Sequence, residues 1–525
     1  MYNLPTTVDP NKVFLINRSE LEGRLEVQYY LPEIYQLEKT VREMSKKKLK
    51  DFIIKMSSGA TPSVQEEEKY YGDEVNGIPF LRVQNLNSNS RLDLSNVKYI
   101  NKETHENYLK RSQVLEGDLL VKITGVGRMA IASVAPVGFV GNTNQHMSVI
   151  KTEKKEISDY LANYLNLDIV ERLASRRATG ATRPALDYPA LKSIPIIENI
   201  DFSVLDKAER LKQQKEAEAK ALLESIDTYL LGELGISLEE KNQTFYFQEP
   251  EPRYGIHYKI QKDYELNKTN KLVQEGKIFL TNFLEVTGGR YDPKLYDHNT
   301  KGLKRAIENG RFKNELLKNL ITQSAAGDWG QDGNEVLGSD FIKSLVIRAT
   351  EFDNQYNLRL DNSRVKYRWI HKDKLAKIDI QENDLLIEKS GGSPDQPVGR
   401  IAIVTKDMIE ENRLCYSNFI HKIRVDTSKV NPKYLFYLLK TFHNIKLTDS
   451  MQSQTNGIRN LIMREYFNQT IPLPFMEDLE KSLKKQTEIA EHIQNIHSQA
   501  KALQHEAAKV LEEAKREVEK MILGE

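Results

Sequence analysis

Two short runs set an acid close to a lysine: Asp118 with Lys122 in VLEGDLLVKITG, and Asp384 with Glu388 and Lys389 in IQENDLLIEKSGG. Carboxylates beside a lysine are raw material for a Mg²⁺-dependent nuclease site, the acids holding the ion. The competing reading is a Gly-Asp or Asn-Asp turn feeding a buried strand, and the lack of a third acid favours the turn. No Gly-x4-Gly-Lys-Ser/Thr run occurs, so a phosphate loop for ATP is not expected. No His/Cys cluster has metal-ligand spacing, and the single cysteine, Cys415, reads as a core or strand residue rather than a nucleophile.

A second chemistry is carried by polar residues near the ends of strand-like runs. In the first half these are Arg82, Gln84, Asn85, Lys122, Thr124, Arg128, Asn144, Gln145 and Arg183. In the second half they are Arg348, Lys389, Ser390, Arg400, Asn418 and Arg459. Arg and Lys donate to guanine O6 and N7, and Asn or Gln bonds adenine bidentately, so the set suits the edges of DNA bases. For any one of them the plainer reading is a solvated surface group, or a phosphate contact that positions without specifying. Gly180-Ala181-Thr182-Arg183 and Gly457-Ile458-Arg459 are glycine turns followed by arginine, which fits a phosphate clamp or a simple turn before a last strand.

These residues recur because the chain is written twice. Arg82 precedes Asp118 by 36 residues, and Arg348 precedes Asp384 by the same 36. Each copy continues through a polar pair (Asn144-Gln145, Ser417-Asn418) to a glycine followed 15 residues later by the proline of an Ile-Pro pair (Gly180 and Pro195, Gly457 and Pro472). Similar leading segments precede both copies: Arg24, Tyr30 and Pro32 lead to LKDFI, and Arg290, Tyr291 and Pro293 lead to LKNLI. The short β-branched runs FLRV, DLLVKI, MAIASV and HMSVIK are matched by LVIRA, DLLIEK, RIAIV and NFIHKIRV, with one amphipathic helix expected in each copy, over SDYLANYLNLDIVERLAS and NPKYLFYLLKTFHNI. This predicts a mixed α/β (α+β) unit, present twice and related by an approximate dyad, with loops on a rigid scaffold as the place for recognition.

Each copy runs into a charged helix. Over the C-terminal helix, Ile493, Ile496, Ala500, Leu503, Ala507, Val510 and Ala514 alternate three and four apart and continue through Val518 and Met521, a coiled-coil seam. The central helix, beginning with Ser203 as its cap, carries Leu205, Ala208, Leu211, Ala219, Leu222, Ile226 and Tyr229. At 1.5 Å per residue the two would be about 70 Å and about 43 Å long. Antiparallel pairing puts the two units at opposite ends of a helical ruler. The expected domains are 1–202, the central helix 203–235, 236–475 (with 236–283 a linker or insertion) and the C-terminal helix 476–525.

Composition narrows the classes. The 525-residue chain is long enough for several full cores, and it has no apolar run approaching the roughly 18 residues of a membrane span. Its N-terminus lacks a secretory pattern and one cysteine excludes internal disulfides, so a reducing cytoplasm is expected. The net charge is only +1; residues 46–200 hold 22 Lys+Arg against 18 Asp+Glu, and residues 323–475 hold 21 against 19. DNA affinity depends on where cations sit rather than on their total, so near-neutrality lowers the DNA reading without removing it. A protein-binding scaffold with two similar domains therefore stays open beside it. A self-contained nuclease or methyltransferase is disfavoured by the missing cofactor loop.

The paired IPFLRVQNL, GDLL-x-K and TGATRPALDYPALKSIPII patterns, each followed by a long helix, resemble the specificity (S) subunit of type I restriction-modification systems over nearly the whole chain. The second copy has SQTNGIRNLIMREYFNQTIPLP in place of the last pattern. The resemblance implies two target recognition domains, each reading half of an asymmetric bipartite double-stranded DNA site, with paired helices setting the unread spacer. It also implies no catalysis on this chain. S-adenosylmethionine would be carried by two DNA adenine methyltransferase subunits, and ATP and Mg²⁺ by restriction/translocase subunits.

Overall fold

The computed structural model describes residues 9, 12–22, 26–180, 182–238, 268, 296, 298–333, 338–353, 357–361, 365–392, 396–455 and 458–524. Arg24, Arg290, Tyr291, Pro293, Gly457 and most of 236–283 lie outside them. The chain forms two compact units, one of residues 1–218 with 502–525 and one of residues 219–501. No described helix is long and apolar enough to cross a membrane.

In the first unit the centre is a four-stranded antiparallel sheet in the order Lys55–Ser58, Met147–Lys151, Leu119–Lys122, Ala132–Val134. Leu119, Leu120, Val121 and Val149 are fully or almost fully buried, as β-branched and leucine runs demand when both sheet faces are covered. A second sheet pairs Ile78–Leu81 in parallel with Val140–Thr143. The stretch read as one helix is two, Lys155–Leu165 and Asp168–Arg177. The break falls at Asn166, whose buried side chain accepts from Ala132 N–H at 3.1 Å and donates to Ala132 O at 2.7 Å, pinning the chain to the sheet edge. The leading helix Pro32–Met44 docks through Glu38, which is 3% exposed and ion-paired with Arg42, Arg176 and Arg177.

The second unit repeats this plan. Its sheet runs Ile321–Ala326, Ile420–Val425, Leu385–Glu388, Ile401–Ile403, and Phe341–Ile347 pairs in parallel with Leu414–Tyr416 as Ile78–Leu81 does with Val140–Thr143. Here the expected single helix is Pro432–Asn444. Lys151 in one sheet and Arg424 in the other stand at the same register, opposite Lys55 and Gln323.

Both long helices are present, Ser203–Glu233 and Leu479–Leu523. Ser203 is the first helical residue rather than the cap, and the Asp201 carboxylate takes its N–H at 2.8 Å. In the first unit Leu205 and Ala208 share a core with Leu511, Ala514, Val518 and Ile522, and Lys215 pairs with Glu506 at 2.6 Å. In the second unit Ile226 and Leu230 share a core with Ile489, Ile493 and Ile496, and Lys485 pairs with Glu233 at 2.8 Å. Two expected seam residues lie outside the stripe: Leu211 is 43% and Met521 56% exposed. A 3.6-residue helix drifts from a 3.5-residue repeat, so burial passes to Ile522 at one end, and the line from Ala208 to Ala219 runs through the partly covered Lys212 and Lys215.

Candidate nucleic-acid interface

The repeated aspartates belong to the frame. Asp118 accepts the Leu115 N–H at 2.8 Å and pairs with Lys151 at 2.6 Å. Asp384, fully buried, accepts the Gln381 N–H at 2.8 Å and pairs with Lys422 at 3.2 Å and Arg424 at 2.8 Å. Glu388 is taken by Arg400, with 2.8 and 3.0 Å contacts. With each carboxylate neutralised by a cation, neither run offers free ligands for Mg²⁺, and no group of three or more His, Cys, Asp or Glu among the described residues could hold a metal ion. Cys415 is buried and its thiol is pushed up to about 11 by desolvation, so thiolate chemistry is disfavoured.

The repeated arginines stand at the start of turns that the side chain three residues on closes. Arg82 N–H donates to Asn85 Oδ1 at 2.9 Å, and Arg348 N–H donates to Glu351 Oε2 at 2.6 Å. Asn85 is 1% exposed, with its amide on Asp93 O and Asn96 O, and the Arg348 guanidinium also reaches back to Glu351 at 2.7 Å. Among the described residues no hydrogen bond ties Arg82, the exposed Gln84 or Asn85 to the loop cluster of the first unit described next.

Three loops of the first unit leave the same end of its sheet, after Ser58, after Lys122 and before Met147. The 179–186 turn is fastened across them: Leu186 N–H donates to Ile123 O at 2.8 Å, Gly125 N–H to Pro184 O at 3.0 Å, and Thr124 bridges Ala185. Gly180 makes that turn at φ +94°, a region that favours glycine. The result brings together Thr124, Gln145 and Arg183. Gln145 is exposed and accepts from the Thr61 hydroxyl at 2.6 Å, while the exposed Arg183 guanidinium lies 3.1 Å from His146 Nε2. Burial, and then Arg183, hold the His146 pKa below its ordinary value.

Three other candidates serve the loops from beneath. Lys122 is 4% exposed and its ammonium donates to Val126 O at 2.8 Å, latching the 123–127 loop. Desolvation lowers its pKa, opposed by Glu171. Arg128 binds the Asp168 carboxylate and donates to Asn166 O at 2.6 Å. Asn144 is 6% exposed and takes the His146 N–H at 3.1 Å.

The second unit rebuilds the arrangement with other side chains. Lys389 N–H donates to Phe419 O at 2.8 Å, as Ile123 N–H does to His146 O at 2.9 Å, and Leu461 N–H donates to Lys389 O at 2.7 Å. Strand Ser390–Gly392 pairs with Ile458–Leu461, so Lys389, Ser390, Asn418 and Arg459 converge. Asn418 is exposed, and the side chains of Lys389, Asn418 and Arg459 make no hydrogen bond or ion pair among the described residues. Arg400 is not part of this group: it is 7% exposed and bonds Ala349 O, Phe352 O and Glu388.

Sequence reasoning missed the residue following each polar pair, His146 and Phe419, and the two glycines that let the loops close. A Cβ on Gly59 would sit 1.6 Å from Thr143 O, and one on Gly327 2.1 Å from Tyr416 O. The glycines were discoverable as the matched ends of KMSSG and QSAAG. His146 and Phe419 differ in type, so a search for identities between halves passes over them. His421, whose ring lies 2.7 Å from the Ser324 hydroxyl, is pushed down to about 4 by burial and then by Lys389.

The model of the type I restriction modification DNA specificity domain matches residues 42–218 and 276–513. Among solved structures, the type I restriction-modification S subunit from M. genitalium is 11% identical, with 90% of this chain and 95% of that chain covered, at TM-score 0.32. The HsdS subunit from Thermoanaerobacter tengcongensis is 14% identical over 90% and 94%, at TM-score 0.25. A chain from a study of assembly and conformational transition in the type I R-M system is 14% identical over 90% and 95%, at TM-score 0.37. No curated protein sequence matches.

Proposed function

We propose a function for this chain, which belongs to the type I restriction modification DNA specificity family: it reads a bipartite, asymmetric DNA site, one half with each unit. The observation that carries this reading is the duplicated loop frame, with the same backbone bonds at Ile123 and Lys389 but different side chains at its rim. In the first unit we assign contact with DNA to Thr124, Gln145 and Arg183, and in the second to Lys389, Ser390, Asn418 and Arg459. Lys122, Arg128 and Asn144 support the first unit's loops from beneath, while Asn85, Arg348 and Arg400 brace the turns that follow Arg82 and Arg348. The chain would perform no chemistry itself. It would recruit two DNA adenine methyltransferase subunits using S-adenosylmethionine, and restriction/translocase subunits using ATP and Mg²⁺.

Replacing residues 57–195 with the equivalent unit of another family member should change one half of the methylated motif and leave the other intact, read by mapping modified adenines. A change in both halves would overturn independent reading, and partners that are all unrelated proteins would favour a scaffold instead. The two long helices, in this reading, pair antiparallel and set the unread spacer. One heptad added after Leu211 and one after Leu503 should lengthen that spacer by up to about three base pairs, since seven residues rise about 10 Å against about 3.4 Å per base pair. An active complex with an unchanged spacer removes the ruler.

A further inference from the structure

We infer that Phe419 reads the 5-methyl group of a thymine in the half-site of the second unit. This rests on the proposed DNA reading and adds to it a base and a residue. Phe419 stands at the tip of the turn before strand Ile420–Val425, with 41% of its surface exposed. Its exposure is not slack. The ring meets Trp329 edge to face at 5.5 Å, and Arg368 lies over the far ring of that pair at 5.5 Å from the Trp329 centroid. Beneath it is Gly391, held at φ +97°, where an added Cβ would come within 3.5 Å of the Phe419 ring. The backbone is fixed as well, because the Phe419 carbonyl receives both Lys389 N–H and Ser390 N–H, at 2.8 and 3.2 Å.

Single exposed apolar side chains are common on protein surfaces; what marks Phe419 is that Trp329 braces its ring and two N–H groups donate to its carbonyl, so that it presents a preformed apolar face. Its immediate neighbours are Asn418 and Lys389, whose side chains make no hydrogen bond or ion pair among the described residues, and these suit a surface carrying phosphates and base edges. In the major groove the one apolar group on a base edge is the thymine methyl, and phenylalanine is among the side chains that contact it. The corresponding position of the first unit carries His146, which faces Arg183 at 3.1 Å and offers polar atoms instead. The two halves therefore recognise by different chemistry from the same place in the frame.

The test uses the full chain assembled with its methyltransferase subunits on duplexes carrying the motif returned by methylation mapping. Each thymine is replaced singly by deoxyuridine, which removes only the methyl. At one position, in the half-site left unchanged when residues 57–195 are exchanged, wild type should bind about fourfold more weakly, the worth of roughly one buried methyl. Phe419→Ala should lose that difference, Phe419→Leu should keep part of it, and both should retain the responses of the other half-site, which shows that they fold. A half-site without thymine, no sensitive position, or equal sensitivity in Phe419→Ala overturns the assignment. A DNA bend lost in Phe419→Ala without any deoxyuridine effect overturns it in favour of a wedge. If the wild-type complex binds no bipartite site at all, the DNA reading itself falls.

Discussion

Asp118 and Asp384 occupy the same place in the two units, yet their surroundings differ in depth. Asp118 holds Lys151, whose side chain is 33% exposed; Asp384 holds Lys422, whose side chain is fully buried, together with Arg424. Removing one partner of a buried pair leaves an uncompensated charge in low dielectric, whereas a partly exposed partner turns to water. Asp384→Ala should therefore destabilise the second unit by about 3–5 kcal/mol, and Asp118→Ala the first by only about 1–2 kcal/mol. Urea denaturation of the full chain, followed by hydrogen exchange in each unit, measures both. Equal losses would mean that burial of the cation is not what separates the two sites.

Acid sharpens the same contrast. The second unit contains His421, His443 and His497, each pushed down to about 4 by burial. Folded, each stays neutral until about pH 4; unfolded, each takes its proton near the ordinary 6.5. The unfolded chain thus binds more protons between these values, so the stability they contribute is complete above pH 6.5 and lost as pH falls towards 4. The effect is on the order of 1 kcal/mol for each of the partly exposed His421 and His497, and larger for the buried His443. Amide exchange at pH 5 against pH 7.5, corrected for intrinsic rates, should show the second unit opening more than the first. Earlier opening of the first unit would show that these imidazoles do not govern acid stability.

The residues that made the sequence legible are mostly frame. Asp118 and Asp384 repeat because a strand must be anchored in both copies, whereas the turns after Arg82 and Arg348 are closed by the side chains of Asn85 and Glu351, which accept the arginines' backbone N–H. The short strands and the two long helices followed from β-branched runs and from heptad spacing. What the spacing did not disclose was depth: Lys122 and Arg400 have donor chemistry suited to DNA but are 4% and 7% exposed, and each spends it on a carbonyl or carboxylate of its own unit. Burial depends on how distant loops are fastened, as by the bonds joining Ile123 to Leu186, and a local pattern carries no record of that. The rim is illegible for the opposite reason. His146 and Phe419 are free to differ because the frame beneath them needs only their backbone atoms.

The smallest expected effect tests which rim residues merely hold DNA. Arg183 in the first unit and Lys389 in the second are cations of the two loop clusters, at different places in the shared frame, one exposed and one half-covered. If Arg183 is a phosphate clamp, Arg183→Ala should weaken binding by a similar factor, roughly three- to tenfold, on every sequence, and should lower the slope of log affinity against log salt by about one, because one fewer counterion is released. The half-site motif should not change. Lys389→Ala should behave alike if its ammonium also meets a phosphate, but its closeness to Ser390 and Asn418, which present shorter polar groups towards the same region, makes it the better candidate for a guanine edge. In that case the salt slope should move less than for Arg183→Ala, while discrimination at a single G·C pair relaxes. Titrations at three salt concentrations on the motif and on its single-base variants separate the two roles. A motif change in Arg183→Ala together with a uniform loss in Lys389→Ala would reverse the assignment, placing base readout by cations in the first unit rather than the second.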